Sequence, residues 1–314
     1  MVWKDGRRTP QLLERDGIPY LQFENLAQTG IVRHLFTTRG GGDSKGVYAS
    51  MNLGFTRGDD PKCVEENFRR VADLLGCRRE DMVSSDQTHT TNVRLVTGED
   101  RGHGITRKKT FFDTDGLVTD EPGIVLATFY ADCVPLYFVD PVRRAIGLSH
   151  SGWRGTVQGI GEATVKKMRE CFGSKPEDII AAVGPSICAD CYEVGQEVAE
   201  YFLGEFWEKY HNDKFCRLAE QTGERNNAVQ NSGAMQRGAL LYQKTNNASE
   251  AHAKNRKYQL NLWVANQCVL EKAGILPEHI EVTTLCTCCN SEELFSHRAS
   301  QGKRGNMGAF LGLL

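Results

Sequence analysis

Apolar positions recur along most of this chain in two periods. Alternating or continuous apolar runs closed by turn residues predict strands at Ile18 to Phe23 and Ile31 to Thr38. Asp59-Asp60-Pro61, followed by Val64, Phe68, Val71, Leu74 and Leu75, gives capping residues, a proline for the first turn and 3.6-residue spacing. That pattern predicts a helix ending at Gly76. Strands are expected at Asn92 to Thr97 and Asp115 to Thr119, and then at Gly123 to Tyr130, Val134 to Val139 and Ala145 to His150, the centre of a sheet. Val157, Ile160, Val165, Met168 and Phe172 predict a helix starting just after a Gly152-Trp153-Arg154-Gly155 turn and stopping at Gly173. A strand from Asp178 to Val183, a helix around Val194 to Tyr210, a core helix ending near Gly274 and a strand from Ile280 to Leu285 follow. From about 211 to 257 large apolar residues thin out, which reads as an exposed, partly helical insertion rather than a separate domain.

Composition narrows the function classes. The chain has 314 residues, 40% of them hydrophobic, enough for one large core, and a single domain is expected. A formal net charge of -2 gives no general attraction to nucleic acid or an anionic membrane, so an anionic substrate has to be caught locally. The charged start, Met1-Val2-Trp3-Lys4-Asp5, lacks the apolar stretch of an export signal. The most apolar run, Gly123 to Val139, carries Asp132 and Pro135 and is too short for a membrane span. An odd count of 11 cysteines suits reduced thiols in the cytoplasm, where the chain is expected to work.

Three segments carry the candidate chemistry: Asp86-Gln87-Thr88-His89, Ala131-Asp132-Cys133-Val134-Pro135 and Ser149 to Thr156. His89, Cys133 and His150 supply two imidazoles and a thiolate with no fourth ligand nearby, the set expected of a catalytic zinc that keeps one position open. Cys133 has two rival roles, a nucleophile with a histidine base or a small buried hydrophobe. Asp132, a carboxylate in an apolar run, needs a partner and is expected to orient a ligand histidine. Arg39 and Arg154, set among glycines, are candidates for gripping phosphate or carboxylate, with exposed ion pairing as the plain alternative. Asn52 is read as a substrate contact or a turn former, and Gly40-Gly41-Gly42 as a possible anion nest. His34, His103, His211, His252 and His279 are expected at the surface or in core hydrogen bonds. Cys188-Ala189-Asp190-Cys191 and Cys286-Thr287-Cys288-Cys289 both contain C-x-x-C, and two such pairs could close a structural zinc site, although their wide separation is unlike a compact zinc ribbon and weighs against a second metal. Phosphate-loop, G-x-G-x-x-G and H-E-x-x-H signatures are absent.

With those residues in place, the chain resembles the bacterial YfiH and YlmD family, long labelled laccase-domain proteins or multicopper polyphenol oxidases. The resemblance runs through Phe36 to Gly41, Tyr48 to Gly54, Gln87-Thr88-His89, Asp115 to Thr119, Ala131 to Leu136 and His150 to Thr156. It continues through Gly184-Pro185-Ser186-Ile187, Cys191 to Gly195, Cys286-Thr287 and Phe295-Ser296-His297-Arg298. It implies an α/β domain of mixed sheets flanked by helices, and zinc bound by His89, Cys133 and His150. It also implies phosphorolysis of purine nucleosides, methylthioadenosine among them, and deamination of adenosine. Thr90 stands where the family usually has glycine, Asn261 where it has aspartate, and Arg298-Ala299 where it has paired arginines. Zinc could supply a hydroxide for C6 of adenine, and Arg39 or Arg154 could orient phosphate. Rival classes are a Cys/His hydrolase acting on a cell-wall precursor, copper oxidation of phenols with Cu2+ at the same ligands, and a non-enzymatic module whose zinc is closed by Cys191 or Cys286.

Overall fold

The computed structural model describes residues 1–210, 217–220, 239–243 and 257–314. Strands and helices are numbered in chain order. The first sheet runs β1 (Gln11–Arg15), β2 (Ile18–Gln22), β3 (Val32–Thr37), β16 (Met307–Leu313), β7 (Val125–Tyr130), β4 (Met82–Ser84). The second runs β15 (Ile280–Val282), β10 (Ile180–Val183), β8 (Val134–Asp140), β9 (Ala145–Ser151), β6 (Gly116–Thr119), β5 (Val93–Leu95). Both mix parallel and antiparallel pairs, as expected for an α/β chain with mixed sheets.

The two sheets face each other. Phe36, Leu126 and Leu311 of the first pack with Tyr137, Val139, Ile146 and Leu148 of the second. The opposite face of β8 turns Val134, Leu136 and Phe138 toward the helix α4 (Ile160–Phe172) and the helix α7 (Leu262–Lys272). Covered on both faces, β8 is buried at every position, which explains its unbroken apolar run. The outer face of the first sheet is closed by α2 (Pro61–Leu75), whose Val64, Phe68, Val71 and Leu75 meet Leu35, Ala127 and Phe310. A short helix α1 (Glu24–Gln28) joins β2 to β3.

The predicted boundaries of α2 hold because the chain ends it chemically. Asp60 accepts the Lys62 amide at 2.9 Å, Pro61 opens the first turn, and Gly76 closes it in the left-handed region at φ 62°. The helix expected after residue 155 starts earlier. Gly152-Trp153-Arg154-Gly155 is no turn but leads into α3 (Trp153–Gln158), and Gly159, at φ 81°, separates it from α4. The stretch from Val194 to Tyr210 also divides, into the strand β11 (Glu193–Gly195), α5 (Gln196–Leu203) and α6 (Glu205–Tyr210) around Gly204.

The supposed insertion is partly sheet. β12 (Arg217–Glu220), β13 (Ala239–Gln243) and β14 (Lys257–Leu260) join β11 in the order β11-β14-β13-β12, and Leu240 and Leu241 are buried in the helix-side core. The expected helical character falls outside the described residues. No described helix is long and apolar enough to cross a membrane.

Candidate metal centre

Strand register builds most of the site. β8 and β9 form a hairpin in which Pro135 faces His150 and Val134 faces Ser151, so Cys133, just before β8, lies across from Gly152. β6 pairs with β9 through Gly116 and Ser149, which brings Asp115 beside His150. His89 arrives from the loop after β4, with Gln87 at φ 55° and His89 itself at φ 68°, backbone that non-glycine residues adopt only under constraint.

That constraint is Asp115. Its carboxylate is fully buried. One oxygen meets His150 Nδ1 at 2.8 Å, while the other accepts the Thr88 and Thr90 amides at 2.9 and 2.8 Å and the Thr90 hydroxyl at 3.2 Å. One side chain thereby fixes the His150 tautomer and pins the loop on both sides of His89. Burial opposes its ionisation, but the bonds from His150 and the loop amides win and hold its carboxyl below the ordinary value. Thr90, in place of glycine, contributes its hydroxyl to this clamp.

One ligand atom from each of His89, Cys133 and His150 lies within 4.8 Å of the other two, close enough for a single ion to bridge all three. The imidazole rings sit 4.9 Å apart at 81°. With Nδ1 of His150 occupied by Asp115, Nε2 is left for Cys133. Burial disfavours the thiolate, yet the charge of His150 and hydrogen bonds from both histidines outweigh it and bring the thiol down to about 6. Burial likewise opposes the imidazolium, and Cys133 with Asp115 lifts His150 to about 9. Cys133 and His150 thus favour the thiolate–imidazolium form of the pair, and a metal binding both would displace the proton from His150. Gly152 is equally specific, because a Cβ there would stand 2.7 Å from His89 Cδ2 and 3.3 Å from Cys133 Sγ.

His89, Cys133 and His150 line a cavity of about 340 Å³ whose wall also includes Arg57, Ser85, Lys109, Phe129, Arg304 and Asn306. Lys109 is tied to Asp86 at 2.5 Å. Arg304 is only 9% exposed; burial and the like charge of Arg57 lower its guanidinium to about 10, which leaves it charged at neutral pH. Its Nε and the Ser85 hydroxyl are buried without a hydrogen-bond partner among the described residues. Arg304 Nη1 is bonded to the Gly305 carbonyl and to Asn306, so the guanidinium is held in place at the cavity wall.

Other expectations are redistributed. Asp132 does not orient a histidine; it accepts the Thr287 hydroxyl and the Arg298 amide, both at 2.7 Å. Arg39 bonds the carbonyls of Ala49 and Ser291 and lies over Phe295, away from the cavity. Arg154 is exposed and stacks on Trp153 at 4.3 Å, also outside the cavity wall. Asn52 is a loop former: it bonds Asp59 and accepts the amides of Gly54 and Asn306. The glycine cluster forms no nest, since the Gly40 and Gly42 amides donate to Thr38 and Ser50. His34 and His103 are buried, the first accepting the Phe23 amide and the second stacked on Phe111. His211 and His252 lie outside the described residues. Asp115, Arg57 and Arg304 were missed; the reasoning applied to Asp132, that a carboxylate bordering an apolar strand needs a partner, fits Asp115 equally.

Residues 33–230 and 223–314 match the family model described as multi-copper polyphenol oxidoreductase laccase. The chain belongs to this laccase family. A laccase-family relative named purine nucleoside phosphorylase YlmD, from Bacillus subtilis strain 168, is 36% identical over 279 residues, covering 88% of this chain and 87% of the relative. Another, named adenosine deaminase RL5, from an unknown prokaryotic organism, is 33% identical over 83% of this chain and 86% of its own length. The crystal structure of the Bacillus licheniformis protein YfiH superposes with a TM-score of 0.77 at 35% identity, covering 96% of this chain and 99% of that one.

Proposed function

We propose that this protein is a zinc-dependent purine nucleoside phosphorylase that also deaminates adenosine and accepts methylthioadenosine. The observation that carries the reading is the open His89, Cys133, His150 cluster at the wall of a cavity that also holds Arg57 and Arg304. Relatives named for phosphorolysis and for adenosine deamination support the choice of purine nucleosides.

A thiolate with two imidazoles suits zinc, which would supply Lewis acidity and an oxygen nucleophile at neutral pH. The chain's own residues do the rest. Arg304, charged and on the cavity wall, binds a phosphate oxygen, and Arg57 neutralises the second charge, the role first expected of Arg39 and Arg154. Phe129 offers an apolar wall to the base, and the Ser85 hydroxyl a hydrogen bond to the ligand. The phosphate is the anion that faces an oxocarbenium-like transition state, and the two arginines serve by fixing its position in the cavity.

One second reading has a specific observation behind it. Cys133, His150 and Asp115 alone form a thiolate, imidazolium and carboxylate series, the arrangement of a cysteine hydrolase. His89 favours metal, because its strained backbone delivers a third donor that a hydrolase has no use for. Multicopper oxidation has less support: among the described residues, one group of metal-ligating side chains contains histidine, and it has two.

Metal content and product formation test the reading together. Wild type should release base from adenosine and inosine only with phosphate, convert adenosine to inosine without it, and lose both activities on chelation and in Cys133→Ala. Full turnover in metal-free protein would favour the hydrolase, and no turnover of any nucleoside by zinc-loaded protein would reject the purine assignment.

A further inference from the structure

The two C-x-x-C segments, far apart along the chain, come together in space. β10 and β15 are adjacent and parallel, with Val183 opposite Val282, so the loops that follow them leave the same end of the sheet side by side. One loop carries Cys188 and Cys191 and the other Cys286 and Cys289. A bridge between Ser186 and Cys286 and the bond from the Thr287 amide to the Ser186 carbonyl keep them in register. The four sulfurs all lie within 4.8 Å of one another, with Cys191 and Cys289 3.4 Å apart. In a tetrahedral tetrathiolate site with metal–sulfur bonds of about 2.3 Å, sulfurs stand roughly 3.8 Å apart, so little adjustment is needed.

The surroundings are those of a metal thiolate. The Cys188 and Cys289 amides point at Cys286 Sγ at 3.2 and 3.4 Å, which supports negative charge on sulfur. Lys4, paired with Asp190 at 3.1 Å, lies beside Cys188 and Cys289 and offsets the excess charge. Cys188 and Cys286 are buried and Cys289 is exposed, leaving an entry side.

We propose that Cys188, Cys191, Cys286 and Cys289 form a second, closed, structural zinc site that ties the loops after β10 and β15 together. The tie reaches Cys133 through Asp132, which sits at φ 88°. Thr287, inside one cysteine loop, holds the Asp132 carboxylate, and the Ile187 amide of the other donates to the Asp132 carbonyl at 3.1 Å. Arg298, whose amide also holds Asp132, anchors its guanidinium on the Cys191 and Glu193 carbonyls. A closed tetrathiolate has no position for substrate, so its role is to fix geometry.

Metal counting on the intact chain decides this. Cys133→Ala, prepared with zinc and kept reduced, should retain one tightly bound zinc, and its cobalt form should show the strong red-region absorption of a tetrathiolate. Cys191→Ser with Cys289→Ser should lose that equivalent and melt at lower temperature; if it fails to fold, Cys133→Ala still gives the answer. A Cys133→Ala protein without metal overturns the proposal. So does a wild-type chain two or four mass units light from disulfides when isolated under reducing conditions. Zinc in wild type that is unchanged in Cys133→Ala would instead leave this site standing and remove the metal from the first centre.

Discussion

Asp115 does at one carboxylate what metal centres usually divide among several partners: it aims His150 and fixes the loop that presents His89. Asp115→Asn keeps the shape but weakens both tasks, and should lower metal affinity about 10–100-fold, read by competition with a chelator. Unchanged affinity would mean that the loop holds itself. Arg304→Ala should raise the KM for phosphate roughly 10–100-fold, the worth of a charge-assisted hydrogen bond, and leave phosphate-independent deamination within a few-fold. An equal loss in both reactions would show that the residue supports the cavity rather than the phosphate. At this scale the grouping of His89, Cys133 and His150 was legible, because each stands among turn residues at the end of an apolar run. The arginines were not: Arg39 among glycines looks free in sequence, whereas carbonyls reached only through tertiary folding consume it, and Arg304 becomes notable only when burial leaves its Nε unpaired.

Elements were read well wherever the chain ends them with its own residues. α2 has its cap, proline and glycine in sequence, and the β8–β9 hairpin turns through Asp140, which accepts the Val142 and Arg143 amides at 2.9 Å. Breaks decided by neighbours were harder. Gly159 divides α3 from α4 where a Cβ would collide with the hydroxyl of Tyr210, a contact made across 51 residues of chain that no local pattern announces. The pairing of β10 with β15 is equally non-local, so the distance between the cysteine pairs along the chain was a poor guide to their distance in space. α7 is joined to α3 and β9 through Asn266, which accepts the Ser151 hydroxyl at 2.8 Å and donates to Thr156 at 3.2 Å, all of them buried. Asn266→Ala leaves two hydroxyls short of a partner and should cost about 1–3 kcal/mol, measured as a lower urea midpoint at unchanged slope. A midpoint equal to wild type would place the joint in apolar packing alone.

For the whole molecule, two facing sheets with helices outside leave polar groups in the core that couple stability to pH. His34 is buried, accepts the Phe23 amide through Nε2 at 3.0 Å, and is lowered by burial to about 4. The unfolded chain takes up that proton near pH 6.5, so between about 6.5 and 4 the unfolded state binds more protons and stability falls as pH drops. This group alone should remove roughly 2 kcal/mol between pH 6.5 and 5, and His34→Gln, whose amide oxygen can accept the same N–H, should show a shallower loss. Equal slopes in denaturant titrations of the two proteins would sink the assignment. The class of fold was visible in the sequence, but the order of its strands was not, and one placement has a consequence of its own. β16, the last strand, lies between β3 and β7 in the middle of the first sheet and packs Leu311 into the core shared by both sheets. During synthesis, which proceeds from the N-terminus, β3 and β7 wait for a neighbour that emerges after His89, Cys133 and His150. A nascent chain still lacking Met307 to Leu313 would therefore expose two unpaired strand edges to chaperones or to its neighbours, with the residues of both cysteine and histidine clusters already synthesised.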